Sequence, residues 1–541
     1  MKGLKTLNTI KLFLSTGLVY FSLSGCTNLD VDIKSQYESY PDSEIALEAK
    51  MADIYYSFRK QLGRYYMEAC ALSSDEYTAL NIGGNWWDKG KFFNMTVHSF
   101  SPDDSPIGFY EDLASGVTRC NRIISELGGE ENPDVAPALA MRAYYNFLLM
   151  DNYGAIPILN KLPEEDEVIE RAPRSKVAEF IELDLLKAID NLPKNVDYST
   201  YGKPTRWMAA ALLAKLYLNW AVYSCDDVTN YSEDVSNPKL NDCVKWCDEI
   251  ISTGFFDLSD GYRSKFLPTN GPHIKDFIYV MPYDCYNAIG MQYARPRIWY
   301  KGANDGADGP SYFGYKLNRS AGGNMAITPE MVDLFCLEGD ERNEIIIKDT
   351  IFMYDPNTYQ RTNVPYLYNG QIVVLSKNIS TIDETTINVG NDFNGWCQGC
   401  RSIKWWPSEE AYNTKDRNQE NDIPIFRYAD ILLTKAEAIL RGANATNGDT
   451  PENLMNQIRS YVNAPLVSGK ISLDDILDER GREFFEENWR RNDLIRFDKF
   501  ESDWGFKNKL NPDAKNKLYR IFPIPTDVMN KNTNWTQNAG Y

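Results

Sequence analysis

Pro204-Thr205-Arg206-Trp207-Met208-Ala209-Ala210-Ala211-Leu212-Leu213-Ala214-Lys215-Leu216-Tyr217-Leu218-Asn219-Trp220 is the stretch from which the fold class follows. Pro204-Thr205 is a helix-opening pair. After it, Ala209, Leu212, Leu213, Leu216, Tyr217 and Trp220 share one side at helical spacing, and small alanines fill the other. The same pattern recurs outward in both directions. Upstream, helices are predicted over Ser43–Leu62, Tyr110–Leu127, Asp134–Tyr153 and from Pro173 to about Leu192; downstream, one follows at about Asn241–Ser252. Helices of this length, in pairs with alternating small and bulky positions, suggest TPR-like hairpins. A strict 34-residue repeat is missing, so the units are degenerate, and each needs its neighbours to bury its apolar face.

Residues 254–425 break the pattern. Glycine, asparagine and aromatic residues dominate there, with short strand-like runs at Phe277–Met281, Gln371–Leu375 and Ser402–Trp406 and a helix at Thr328–Glu338. Helical spacing resumes at Phe426–Gly442 and Pro451–Tyr461, then from Ser472 to about Phe497. Pro523 and Pro525 keep the tail from being a regular helix. The expected fold is mainly α, a TPR-like helical hairpin scaffold with a long loop-rich insertion containing short strands. One domain is expected over 26–541: an N-terminal helical half (26–253), a loop-rich ligand-side region (254–425), and C-terminal helices with an extended tail (426–541).

Composition narrows the chemistry. The 541 residues are 43% hydrophobic and 25% charged, enough for a large core. A formal net charge of −19 repels phosphate backbones, and no basic patch offsets it, so no nucleic-acid partner is expected. Only His98 and His273 are available, which disfavours His-based zinc sites and most hydrolase triads. Twelve tryptophans and 34 tyrosines suit stacking on flat, hydroxylated ligands better than bond breaking.

The first residues read as an export signal. Lys2, Lys5 and Lys11 precede an apolar run, Leu12–Leu23, shorter than the roughly 20 residues a membrane span needs. It ends in Leu23-Ser24-Gly25-Cys26, which resembles a bacterial lipobox. Residues 1–25 are therefore expected to be a lipoprotein signal peptide and Cys26 the lipidated residue, anchoring the protein by acyl chains. Nine cysteines remain, an odd number that cannot all pair. Cys243, Cys247, Cys397 and Cys400 have zinc-like spacing, but Cys243 and Cys247 sit one helical turn apart beside Trp246 and read more readily as buried apolar groups. A local Cys397–Cys400 disulfide stays open.

Several segments carry a family resemblance. Tyr428-Ala429-Asp430-Ile431-Leu432-Leu433 through Ala436-Glu437-Ala438 is similar to the RYADxLLxxAEA segment of SusD/RagB-type outer-membrane lipoproteins. Glu479-Arg480 through Glu487, Arg490-Arg491, Asp493-Leu494 and Arg496-Phe497 resemble the family's ERxxE…ExxRxxDLxR helix. Phe522-Pro523-Ile524-Pro525 with Gln537-Asn538-Ala539-Gly540-Tyr541 resembles its PIP…QNPGY end, with Ala539 in place of the usual proline. Arg142-Ala143-Tyr144-Tyr145 and Tyr153–Pro157 match the first helical half. Read physically, the 479–497 block is structural: Glu486–Arg490 and Glu487–Arg491 are expected as i,i+4 pairs contributing about 0.2–0.5 kcal/mol each, with Phe484, Phe485 and Trp489 turned to the core.

The resemblance implies a non-enzymatic surface lipoprotein of the outer membrane. Such a protein binds oligosaccharides or polysaccharides, peptides in some members, and delivers them to a SusC-like TonB-dependent transporter. Sugar rings present apolar C–H faces and polar rims, so exposed aromatic planes beside amides are the feature to seek. Asn85, Trp86 and Trp87 meet that description in a glycine-flanked loop, and Trp299, Tyr300 and Tyr312 in a second. Trp405 and Trp406 read as packing. No cofactor is expected; Asn304, Gly306, Asp308 and Gly309 partly mimic a calcium loop, but Tyr315 stands where its bidentate glutamate belongs, leaving a structural calcium of another kind open. The alternatives are a RagB-like peptide binder of the same fold and, remotely, a glycoside hydrolase using two carboxylates.

Overall fold

Thr205 accepts a hydrogen bond from the Met208 amide (3.2 Å) and starts the helix Arg206–Leu218 where the sequence placed it. The structure is a computed structural model that describes residues 44–85, 87–301, 309–414 and 416–541. Cys26 and most of the calcium-like loop lie outside the described residues.

The scaffold helices used below are α1 (Tyr110–Glu126), α2 (Ala136–Tyr153), α3 (Arg174–Ala188), α4 (Arg206–Leu218) and α5 (Leu240–Ile251), then α6 (Tyr428–Leu440), α7 (Pro451–Tyr461), α8 (Leu473–Glu483) and α9 (Arg490–Arg496). From α1 to α7 each packs on the next, so the TPR-like stack is continuous across the insertion, with α5 against α6. Close approach is built into the sequence. A Cβ on Gly116 of α1 would stand 2.6 Å from the Tyr145 ring of α2. Arg142 of α2, fully buried, gives Nε and Nη2 to the two oxygens of Asp184 on α3, at 2.8 and 2.7 Å. Cys243 and Cys247 are buried on α5, and all nine described cysteines are free thiols.

The strands are short and occur in pairs. β1 (Tyr77–Ala79) runs antiparallel to β3 (Met325–Ile327), with Thr78 opposite Ala326, and β2 (Phe277–Met281) runs antiparallel to β4 (Ile423–Arg427). Small two-stranded pairs such as Phe352–Tyr354 with Arg361–Pro365 complete the insertion. Of Ser402–Trp406 only Ser402 pairs as strand, together with Arg401 before it; Trp405 and Trp406 are core residues, as read.

Two readings are corrected. The helix expected over 472–497 is broken: α8 ends at Glu483, α9 begins at Arg490, and Glu486 and Asn488 between them have φ of 66° and 68°. The expected i,i+4 pairs are therefore absent. Partners far away in sequence are the reason. The Glu486 amide donates to Glu76 (2.7 Å), and its carboxylate accepts from Tyr77 and lies 3.6 Å from Arg297. Glu487 pairs with Lys404 (2.7 Å) and Arg427 (2.8 Å). The tail does contain one helix, Thr526–Lys531, placed after Pro525 so that no interior amide is lost. Around it the chain is extended, pinned by the Phe522 amide on Asn152 O (2.7 Å) and Asn538 Nδ2 on Tyr153 O (2.9 Å).

Candidate functional site

The charged motif residues come together first, and inside the protein. Arg342 meets Asp340, Glu479 and Glu483 at 2.8, 2.7 and 3.1 Å; Arg427 meets Asp276, Glu483 and Glu487 at 2.6, 2.8 and 2.8 Å. Arg480 bridges Asp430 and Asp493, and Arg496 bridges Asp493 and Glu437. All of these side chains are buried. Burial alone would raise the Asp276 carboxyl, but Lys265 and Arg427 outweigh it and hold it at about 2. These carboxylates are spent on joining α6, α8 and α9 to the insertion.

The first ligand-site candidate sits on a tight turn. Ile82 and Asn85 exchange both backbone hydrogen bonds (3.2 and 3.0 Å), with Gly83 at φ 57° and Gly84 at φ 91° between them. Two successive positive φ values are what a type I′ hairpin needs, and glycine supplies them without strain. The tip is fastened from the side: Gly83 N donates to Asn388 Oδ1 (3.1 Å), and a Cβ on Gly83 would stand 2.7 Å from Asn391 Cβ. Asn85 is exposed at this tip. Trp86 lies outside the described residues. Trp87 is half-buried, its ring centroid 5.6 Å from Phe93, with Gly90 beneath it; a Cβ there would lie 3.3 Å from the indole.

The second candidate is corrected. Trp299, Tyr300 and Tyr312 are all 0% exposed and belong to the hydrophobic core of the insertion. Trp299 donates Nε1–H to Trp396 O (2.9 Å) and meets the edges of Tyr366 and Tyr368. Tyr300 donates to Leu317 O (2.9 Å), and Tyr312 packs on Phe313 with centroids 4.4 Å apart. The strands here are too short to bury much by themselves, so large rings build the core. Their faces are spent on one another.

The hairpin tip instead leads to residues that the reading passed over. Asn391 and Asp392 are exposed, and Asn391 Oδ1 accepts from Trp396 Nε1 (3.0 Å). Phe393, half-buried, stacks parallel on Tyr368 with centroids 6.1 Å apart. Asn388-Val389-Gly390-Asn391-Asp392-Phe393 has the same asparagine, glycine and aromatic mix as 81–90, and that signal could have found it. Partly exposed rings ringed by amides can hold an apolar face and satisfy the hydroxyls at its rim. Among the described residues no group of three His, Cys, Asp or Glu is arranged to hold a metal ion, and no helix is long and apolar enough to cross a membrane.

Comparison with known proteins agrees with the fold. Residues 290–541 match the family model described as the SusD family, and residues 29–218 match one described as starch-binding, associating with outer membrane. The starch-binding protein SusD of Bacteroides thetaiotaomicron is 23% identical over 484 residues, 84% of this chain and 82% of that protein. A solved laminarin-binding SusD-like protein superposes with a TM-score of 0.66 at 21% identity, covering 92% of this chain and 100% of its own. Surface glycan-binding protein A of the same Bacteroides species, solved with laminarihexaose, gives 0.63 at 19%, covering 92% and 99%.

Proposed function

The chain belongs to the SusD family, and from that membership we propose that it is a non-catalytic cell-surface lipoprotein that binds oligosaccharide or polysaccharide and hands it to a SusC-like TonB-dependent transporter. Residues 1–25 direct export, and Cys26 takes the lipid that holds the protein to the outer membrane. Asn85 and Trp87, joined by Asn391 and Phe393, form the glycan face, and Trp86, their neighbour in sequence, is assigned to ligand binding with them.

One observation carries the reading. A rigid two-glycine turn presents Asn85 to solvent next to a half-exposed Trp87, and the turn is fastened to a second amide-rich loop. That is a pre-ordered stacking platform, which spares a ligand the cost of ordering the loop. Glycan binding in the relatives named above supports the choice of sugar over peptide. Affinity electrophoresis against β-glucans, α-glucans and host glycans tests it, with Asn85→Ala/Trp87→Ala as the control. Retardation by at least one glycan, lost in the double variant, is expected; tight binding of peptides with none of any glycan would favour the RagB-like alternative.

A further inference from the structure

A cleft of about 500 Å³ opens elsewhere in the insertion and shares no lining residue with the Trp87 face. Arg263, Asn343, Tyr354, Tyr359, Gln360 and Arg361 line it. Its size is within the range of small-ligand sites. The wall is built rather than incidental. The turn at 355–360 closes on itself, with Tyr359 N on Asp355 O (2.8 Å), Asp355 N on Gln360 O (3.0 Å) and Asn357 N on Asp355 Oδ1 (2.8 Å). It is seated on Gly314, where a Cβ would stand 2.7 Å from Pro356. Tyr359 meets the edge of Trp406 with centroids 5.3 Å apart.

Two buried polar atoms on this lining have no hydrogen-bond partner: the donor Arg263 Nη2 and the acceptor Asn343 Oδ1. Buried polar groups are normally paired, and leaving a guanidinium donor unpaired costs more than leaving a neutral one. Arg263 lies over the Trp406 ring at 5.1 Å and makes no ion pair with a described residue, unlike the arginines of the buried network. Burial pulls its pKa down to about 10, so it still carries its charge at neutral pH. Lys348 and Arg361 add exposed positive charge to the lining, against exposed Glu341 and Glu344, of which Glu341 already accepts from Asn463 (2.6 Å).

We propose that this cleft is a second carbohydrate subsite, selective for a sugar bearing a carboxylate, with Arg263 receiving the carboxylate, Asn343 a hydroxyl, and Tyr359 the apolar ring face. An arginine fork matches a carboxylate in two places, and the tyrosines supply the flat apolar wall that an acidic peptide side chain does not need. The site does not depend on the Trp87 platform.

Calorimetric titration of the full protein with trigalacturonate and with its methyl ester tests the assignment, since esterification removes the charge, adds a methyl group and keeps the sugar rings. Trigalacturonate is expected to bind at least tenfold tighter than the ester, weakening as salt rises. Arg263→Gln is expected to remove that difference, and Tyr359→Ala to weaken acid and ester alike, while capture of neutral glycans stays unchanged. Equal affinity for acid and ester, an acid preference that survives Arg263→Gln, ring-face binding untouched by Tyr359→Ala, or binding of hexaglutamate in place of the uronate would overturn it.

Discussion

Arg490 donates from Nε and Nη2 to the two carboxylate oxygens of Asp75, at 2.8 and 2.7 Å, across 415 positions of sequence. The pair ties the start of α9 to the segment leading into β1, the strand that continues to the Gly83-Gly84 turn. Position of the proposed glycan face therefore depends on a charge pair that is itself almost wholly buried.

Removing one member of that pair strands the other. Asp75→Ala leaves the Arg490 guanidinium, 6% exposed, without its carboxylate, and a loss of about 3–5 kcal/mol is expected. The thermal midpoint should fall by several degrees. In a double-mutant cycle with Arg490→Met, the paired change should cost less than the sum of the single changes, as coupled neighbours do.

Acid should unfold the protein through its buried carboxylates. Burial raises the Glu479 carboxyl, but Arg342, Arg482 and Arg459 outweigh it and hold it at about 2, as Lys265 and Arg427 hold Asp276. Both folded values lie below the ordinary ones of 4.5 and 3.8. The stability they contribute is complete above those ordinary values and is lost as pH falls toward 2. Melting temperatures should drop steeply over that interval, and Glu479→Gln, less stable at pH 7, should show a shallower drop.

Glu76 works in the opposite direction. Burial, reinforced by the Glu486 and Asp75 carboxylates, pushes it to about 8 against the opposing Glu486 amide and Arg297. Its folded value is above 4.5, so its protonated form stabilises the fold below that pH, and the contribution disappears as pH rises through 8. Glu76→Gln should flatten the decline in melting temperature between about pH 5 and pH 8. An unchanged slope would show that Glu76 stays charged inside the protein.

Substitutions at Trp299 and Trp87, two of the three tryptophans first read as ligand contacts, should separate cleanly. Trp299→Ala empties a fully buried ring volume and should cost about 3–5 kcal/mol, seen as a lower denaturation midpoint. Trp87→Ala touches mainly Phe93 and Gly90 and should leave the midpoint within a few degrees while weakening glycan capture.

What could be read from sequence was whatever a local signal decides. Thr205, Thr450 and Ser472 cap their helices by accepting from the amide three residues on, a contact contributing about 1 kcal/mol that is written in neighbouring residues. The break after Glu483 was not readable, because Glu76 and Tyr77, about 410 positions away, and Arg297, about 190 away, decide it. Trp87 and Trp299 look alike in a window of ten residues. One keeps a free edge because its neighbours are a glycine turn and Phe93; the other is enclosed by Tyr366, Tyr368 and Trp396, none within 60 residues of it.

Capture without bond breaking at the Asn85–Trp87 face can be followed in one sample: titrate the tightest glycan found in the panel while assaying the same solution for new reducing ends. A saturable heat is expected with no rise in reducing ends, and Trp87→Ala should weaken binding at least tenfold, about 1.4 kcal/mol. Reducing ends that accumulate with time, or an affinity untouched by Trp87→Ala together with Asn85→Ala, would contradict it.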